Sequence, residues 1–190
     1  MTVSKGLTGL IVTLAGSVMA ATASAGGALD LNLSDKAVRL AYDGAQKDNG
    51  LHLNLSALHH TDDGDMFGAG VHVVNVRETN SPLYLGVGAK AFGFTTEDYD
   101  GGALAVGGLF RYTLPVNPDV SLAGYAYYAP NVVSFGDAEN MFNSDWRVQY
   151  AIIPNARVYT GYRYNSINIE NVKDNYEFAD TFHVGLTLDF

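Results

Sequence analysis

Apolar and polar residues alternate along most of this chain, most clearly at its end. From Phe182 to Phe190 every even-numbered residue is apolar, whereas the odd positions carry His, Gly, Thr and Asp. Successive side chains of a β-strand point to opposite faces, so this stretch predicts a strand with one apolar and one polar face. An aromatic residue at position 190, on the apolar face, suits the rim of a lipid-embedded barrel better than a soluble protein.

Nine further segments show the same alternation: 29–34, 38–42, 51–60, 67–78, 83–91, 104–114, 120–128, 146–152 and 158–164. Several reach the roughly 9 to 11 residues that a tilted membrane strand needs. Eight strands from Leu51 onward, or ten with the short hairpin before them, both satisfy the even number of a single-chain barrel. We therefore predict an all-β, antiparallel transmembrane barrel of eight to ten strands and favour ten.

The fourth segment changes phase, because Val71 and Val73 share one parity and Val74 and Val76 the other. One extra residue re-aims all later side chains, so the phase change predicts a β-bulge near Val73.

The connections between strands alternate in length. With the end of the last strand in the periplasm, the connections at 43–50, 78–82, 115–119 and 154–155 face the periplasm. Those at 60–66, 95–100, 130–144 and 165–177 face outside, and they are mostly longer and acidic. Short inner turns and long outer loops are typical of outer-membrane barrels.

Residues 1–25 have the composition of a secretory signal. Lys5 is followed by an apolar run from Leu7 to Ala21 and by the small residues Ala23, Ser24 and Ala25. We expect cleavage before residue 26 and one mature domain over 26–190. The alternative is a membrane anchor, but the run is shorter than the roughly 20 apolar residues of a spanning helix.

Composition narrows the function. The chain has no cysteine, so disulfides and thiolate chemistry are excluded. The net charge of −9 comes without a basic stripe, which argues against a nucleic-acid partner.

Six basic residues share the polar parity of their strands and are predicted to line the lumen: Arg39, Lys90, Arg111, Arg147, Arg157 and Arg163. Acidic or polar partners on the same face are Asp30, Asp43, His183 and Asp189. A small barrel is just filled by its side chains, and buried charges must be paired. We expect a salt-bridged polar plug, with a narrow, weakly anion-favouring passage as the alternative.

Aromatic residues mark both rims of the apolar face. Tyr128, Trp146, Tyr164 and Phe182 are predicted near the outside, and Tyr112 and Phe190 near the periplasm. Amphipathic rings favour a membrane interface, so these residues read as girdles. A soluble lipocalin-like barrel also alternates, but it explains neither the girdles nor the loop asymmetry.

A second cluster contains His59, His60, Asp62, Asp63 and Asp65 at a predicted outer loop. Imidazoles beside carboxylates can bind a divalent metal or support general-base hydrolysis. The spacing lacks the ligand pattern of a calcium loop, so a solvated acidic loop is the favoured interpretation. His52 and His72 are interpreted as structural strand residues.

Several segments together resemble the YfaZ family of small bacterial outer-membrane proteins, in the same order through nearly the whole mature chain. They are residues 28–34 (ALDLNLS), 86–90 (GVGAK), 101–112 (GGALAVGGLFRY), 127–137 (YYAPNVVSFGD) and 182–190 (FHVGLTLDF). The resemblance implies a barrel in the outer membrane of a Gram-negative bacterium and carries over no catalytic residue. Likeness to outer-membrane barrels in general implies that Phe190 is presented to the barrel assembly machinery.

Together these features predict a monomeric, non-enzymatic outer-membrane barrel with a filled or very narrow lumen and no cofactor. A narrow small-solute channel and an outer-rim hydrolase that uses His59, His60 and the nearby Asp residues are the alternatives. The expected partners are membrane lipid and lipopolysaccharide, with Mg²⁺ or Ca²⁺ bridging acidic loop carboxylates to lipid phosphates.

Overall fold

The computed structural model describes residues 26–45, 50–74, 81–169 and 176–190. The predicted signal segment, 1–25, lies outside these residues. The strands are β1 (Gly27–Ser34), β2 (Ala37–Ala45), β3 (Leu51–His60), β4 (Gly64–Val74), β5 (Leu83–Thr95), β6 (Asp100–Leu114), β7 (Asn117–Ala129), β8 (Ser134–Gly136), β9 (Ala138–Ile153), β10 (Ala156–Ile169) and β11 (Tyr176–Asp189). A single-turn 3-10 helix, Asn131–Val133, precedes β8. Within the described part of the chain, no helix has the length and apolar character needed to cross a membrane.

Ten of these strands close into an antiparallel barrel. Each pairs with its neighbour in the order β5-β4-β3-β2-β1-β11-β10-β9-β7-β6, and β5 pairs with β6 to complete the ring. The short β8 adds only three residue pairs to the rim of β6. The predicted barrel and its count of ten strands are confirmed, and the first two strands, although short, belong to the wall.

The alternation in sequence becomes an outer apolar face and an inner polar face. In β11, Phe182 is 76% exposed whereas its neighbour His183 is 2% exposed. Val184 and Leu188 are exposed, and Thr187 between them is buried. Leu31, Leu53, Val87, Val106 and Val148 continue the exposed apolar surface on other strands.

The predicted β-bulge near Val73 is wrong. Pairing of β4 runs without a shift from Gly64 to Val73 against β3, and on to Val74 against β5. Val71 and Val73 lie outside, and Val74 simply faces the lumen, where it is 6% exposed. The apolar inward residue Val74, not an extra residue, accounts for the phase change as far as the described part of the strand extends, and Val76 lies outside the described residues.

The predicted loop at 130–144 is also wrong over most of its length. Residues 138–144 belong to β9 and pair with β10, and residues 141–144 pair with β7 as well. Likewise β10 continues to Ile169 and β11 begins at Tyr176, inside the predicted loop at 165–177. These strand extensions carry the polar Asn143 and Asn165 on the inward face beside the apolar Met141 and Ile167, so they lack the apolar alternation on which the prediction rested.

The two ends of the barrel differ. We call the end that holds Gly27 and Phe190 the terminal end, where Gly27 and Phe190 exchange backbone hydrogen bonds of 2.8 and 2.9 Å. The opposite, distal end carries the described connections at 35–36, 61–63, 96–99 and 130–137. All large buried apolar side chains of the core cluster lie toward the distal end.

Candidate functional site

The lumen is the candidate site, and its distal part is an apolar plug. The plug consists of inward side chains near the ends of the strands: Leu58, Met66, Phe92, Phe94, Ala103, Ala105, Tyr127, Ala129, Ala138, Met141, Ile167, Ile169 and Phe178. Met141, Ile167 and Phe178 are at most 1% exposed. Burial of this degree is typical of a close-packed protein interior.

A belt of charged side chains centred on Asp145 crosses the lumen on the terminal side of the plug. The Asp145 carboxylate accepts hydrogen bonds from Arg147 Nε at 2.7 Å and Arg163 Nη2 at 3.3 Å. His183 Nε2 lies 3.1 Å from the same carboxylate. Asp145 is fully buried, and a buried carboxylate persists only when it is paired in this way.

Asp30 is the second carboxylate of the belt. It accepts hydrogen bonds from Arg39 at 3.1 Å, from Arg147 at 3.0 Å and from the Thr187 hydroxyl at 2.8 Å. Arg147 therefore joins the two carboxylates, and its guanidinium also lies 4.2 Å from the ring centre of Tyr159. The result is one connected network across β1, β2, β9, β10 and β11.

Asn32 on β1 contacts two further members of the network, on β10 and β11. Its Oδ1 accepts a hydrogen bond of 2.8 Å from Arg163, and its Nδ2 lies 2.5 Å from His183 Nδ1. Asn32 and Arg163 are both 0% exposed. Charges and amides thus fill this level of the barrel.

Lys90 closes the opposite side of the same level without a carboxylate in bonding reach among the described residues. Its ammonium lies 5.3 to 5.6 Å from the ring centres of Phe92, Tyr125 and Tyr127. Cation–π attraction stabilises a charge so placed. The cavity that remains between belt and plug measures about 10 Å³, at the lower limit for one water.

A vestibule of about 370 Å³ occupies the lumen on the terminal side of the belt. Arg157 forms an ion pair with Asp189 at its wall, donating from Nη2 at 2.8 Å. Arg111 lies 5.2 Å from the ring centre of Tyr84. This cavity is large enough for several waters or a small solute.

One wall of the vestibule brings two histidines and a carboxylate together. His52 on β3 and His72 on β4 are direct cross-strand partners, and their rings stack at 4.9 Å. Asp43 on β2 contacts His52 Nδ1, and its other oxygen lies 3.3 Å from His72 Nε2. Asn54 donates a hydrogen bond of 3.3 Å to Asp43. Their shared inward parity was visible in the sequence, but the strand register that joins them was not.

The predicted lumen residues occupy the following places. Arg39, Arg147 and Arg163 lie in the belt, Lys90 lies beside it, and Arg111 and Arg157 line the vestibule. Sequence reasoning missed Asp145, the centre of the network, because it stood next to a predicted loop. Its parity, two residues before Arg147, was the available signal.

The predicted girdle residues lie on the outer face, but not as two simple rings. Trp146 and Phe182 flank Tyr162 on adjacent strands, with Phe182 and Tyr162 ring centres 5.1 Å apart. Tyr128 is half exposed, whereas Tyr164 is partly covered by Phe142 at 6.2 Å. At the terminal end, the rings of Phe190 and Tyr42 stack at 6.3 Å, and Tyr112 is half-buried.

The histidines of the predicted outer loop do not converge. His59 is exposed and contacts Asp65 at 2.8 Å, whereas His60 is buried and its Nδ1 accepts the Asp63 backbone N–H at 3.0 Å. Adjacent strand residues point to opposite faces, so the two imidazoles cannot serve one site. Asp62 instead pairs with Lys36 at 2.7 Å.

Comparison with known proteins places the chain among outer-membrane proteins. A family model described as YfaZ precursor matches residues 8–190. Outer membrane protein YfaZ of Escherichia coli (strain K12) is 29% identical over 143 residues, which cover 74% of this chain and 76% of that protein. The description of the family as a precursor agrees with the predicted secretory signal.

Two solved structures are similar in outline. KdgM porin has a TM-score of 0.46 and 13% identity, and KdgM porin in complex with disordered oligogalacturonate has 0.46 and 14%. Both alignments cover 87% of this chain and 99% of the matched chain.

Proposed function

The chain belongs to the YfaZ family of outer-membrane proteins, and we propose that it is a non-enzymatic barrel whose lumen is closed to solutes. Its location in the outer membrane of a Gram-negative bacterium follows from the family and the barrel. The finer proposal concerns the lumen. It is supported by the continuous layer that the plug and the belt form across the distal half.

The packing of this layer is the observation that carries the proposal. Porins of 16 to 18 strands leave an aqueous channel, whereas a barrel of about eight strands is just filled by its own side chains, and ten strands are closer to the second case. Here Arg163 and Asp145 at the belt, and Met141 and Ile167 at the plug, are at most 1% exposed. An ion would have to displace an ion-paired network and then cross an apolar layer.

The hydrolase alternative finds little support at the distal rim, because His59 and His60 point to opposite faces of the wall. In the described part of the chain, His59 contacts Asp65 and His60 contacts Asp63, and neither imidazole contacts a serine hydroxyl.

Planar-bilayer recording of the refolded full-length mature protein tests the proposal. We expect no discrete current steps, with folding and insertion checked by heat-modifiable migration of the same sample and a general porin refolded in parallel as the positive control. Wild-type current steps whose ion selectivity changes in Arg163→Gln would instead establish the narrow channel and overturn the proposal.

The predicted lipid partners belong to the same proposal. With the distal end outward, exposed carboxylates of Asp98, Asp100 and Asp137 face the lipopolysaccharide headgroups. Divalent cations would then bridge them to lipid phosphates, so a chelator should lower the unfolding temperature in lipopolysaccharide-containing vesicles. An unchanged temperature would remove this partner. A monomeric state and recognition of Phe190 by the assembly machinery stay predictions.

A further inference from the structure

Asp43, His52 and His72 form a cluster of potential metal ligands in the vestibule wall. We propose that these three residues form a binding site for a single transition-metal ion of the zinc class, open to the vestibule. This site is independent of the closed lumen, since it lies on the terminal side of the belt.

The barrel fixes the positions of all three ligands. Asp43, His52 and His72 lie on the consecutive strands β2, β3 and β4, within regular antiparallel ladders. Their candidate ligand atoms all lie within 4.8 Å of one another. The 3.3 Å between His72 Nε2 and an Asp43 oxygen equals the ligand–ligand edge of a tetrahedron with metal bonds of about 2.0 Å. Small side-chain rotations therefore suffice to surround an ion.

The chemistry of the donors selects the metal. Two imidazole nitrogens and one carboxylate oxygen suit Zn²⁺ and its neighbours Co²⁺, Ni²⁺ and Cu²⁺, whereas Mg²⁺ and Ca²⁺ prefer all-oxygen sites. Three protein ligands leave the fourth tetrahedral position free. Because all three residues line the 370 Å³ cavity, water or a small ligand has access to that position.

The charges around the cluster favour a cation at Asp43 more than at any other carboxylate of the described lumen. Asp30, Asp145 and Asp189 are each neutralised by at least one arginine. Asp43 has neither an arginine nor a lysine partner within ion-pair distance among the described residues, and its ion pairs are with the two histidines alone. A neutral imidazole can give its nitrogen to a metal, whereas a guanidinium cannot.

Asn54 supplies a second, independent indication. Its Nδ2 holds the Asp43 carboxylate, as an outer hydrogen bond commonly holds a metal ligand. Its Oδ1 is buried and lacks a hydrogen-bond partner in the described structure. Buried acceptors normally have a donor, and a water bound to the metal would supply one.

The competing interpretation is a purely structural hydrogen-bonded cluster. The other histidines provide the comparison, because His59, His60 and His183 each contact one carboxylate without a second histidine. Within the described residues, only the Asp43 cluster meets the geometric requirement of three potential ligands.

Calorimetric titration of Zn²⁺ into the refolded, chelator-free protein tests the site. We expect one ion per barrel. Loss of an outer contact to a metal ligand lowers affinity by roughly 10- to 100-fold, and His52→Gln and His72→Gln, which remove a ligand itself, should lower it at least as much. His59→Gln, which removes an exposed histidine at the other end, should bind as the wild type does. Absence of binding at millimolar Zn²⁺, unchanged binding in His72→Gln, or loss in His59→Gln would each overturn the proposal.

Electron paramagnetic resonance with Cu²⁺ keeps the test decisive if a variant fails to fold. The wild-type spectrum should show hyperfine coupling to two imidazole nitrogens, and folded His72→Gln should show one. A wild-type spectrum without nitrogen coupling, or with coupling that persists unchanged in folded His72→Gln, would contradict the site.

Discussion

The distal and terminal halves of the lumen share ten strands and one alternation pattern, yet they differ in how far inward side chains fill them. In the distal half, the inward side chains are those of the apolar plug, the ion-pair network, Lys90 and the amides Asn143 and Asn165, and the cavity beside Lys90 measures about 10 Å³. In the terminal half, the inward residues border a cavity of about 370 Å³. The barrel wall therefore does not decide whether the lumen is open; the inward side chains do.

Several large inward side chains of the distal half lie opposite glycines on the neighbouring strand. Phe92 faces Gly68, Lys90 faces Gly70, and Tyr127 faces Gly107 on a neighbouring strand. A Cβ built at Gly70 would collide with the Lys90 side chain, so the long chain lies over the space that the glycine leaves. This pairing of large with small residues fills the lumen without widening the wall.

The largest expected effect separates the buried belt from the vestibule. Asp145→Asn leaves Arg147 and Arg163 without their shared carboxylate, and breaking a buried ion pair costs about 3 to 5 kcal/mol. The matched change Asp43→Asn, at a half-buried site without arginine, should cost clearly less. Urea unfolding in lipid vesicles, followed by the single tryptophan Trp146, measures both. Equal losses of unfolding free energy in the two variants would contradict the difference between the belt and the vestibule.

Truncation of a side chain in the plug should cause the next largest loss of stability. Met141→Ala removes a side chain that is 1% exposed, and the resulting cavity should lower the free energy of unfolding by about 2 to 5 kcal/mol. Leu109→Ala is the control, because Leu109 borders the open vestibule and its truncation enlarges a space already present. The same urea titration applies. A larger loss for Leu109→Ala would show that the vestibule is the tighter half.

The ion pair at the vestibule wall should matter less than the belt. Arg157 and Asp189 are partly accessible to water, and pairs of this kind contribute up to about 1 kcal/mol. We expect Arg157→Gln to shift the urea midpoint slightly in low salt and less in 1 M salt, since salt screens accessible charges. A shift as large as that of Asp145→Asn would contradict the ranking.

The smallest effect belongs to the exposed pair Lys36 and Asp62 in the distal turns. The hydrogen bond and charge of Lys36 lower the pKa of Asp62. A carboxyl group with a lowered pKa stabilises the folded state above its unfolded pKa of about 4, and this contribution is lost as the pH falls through the folded value. The difference between wild type and Lys36→Gln should therefore be small at pH 7 and vanish in acid. A difference that grows in acid would contradict this sign.

Alternation alone predicts the barrel, because residues such as Phe182 and His183 must lie on opposite faces of a strand. It fails where inward residues are apolar, as at Val74, and where strands run on as polar extensions, as at Asn143. Grouping Asp43 with His52 and His72 requires the register between strands, which is set by pairing across the sheet and not by local pattern. Asp145 was missed because it lies between the predicted loop at 130–144 and the predicted strand at 146–152, in the part of β9 that the alternation did not predict.

Cysteine accessibility tests the contrast between the two halves most directly, because the chain has no cysteine of its own. Ala28→Cys places a thiol at the vestibule, and Ala105→Cys places one in the plug, where the native residue is 1% exposed. In the folded protein we predict fast reaction of Ala28→Cys with a charged methanethiosulfonate reagent and protection of Ala105→Cys until urea unfolds the barrel. Equal rates at the two positions would show that the distal lumen is open and would contradict the account.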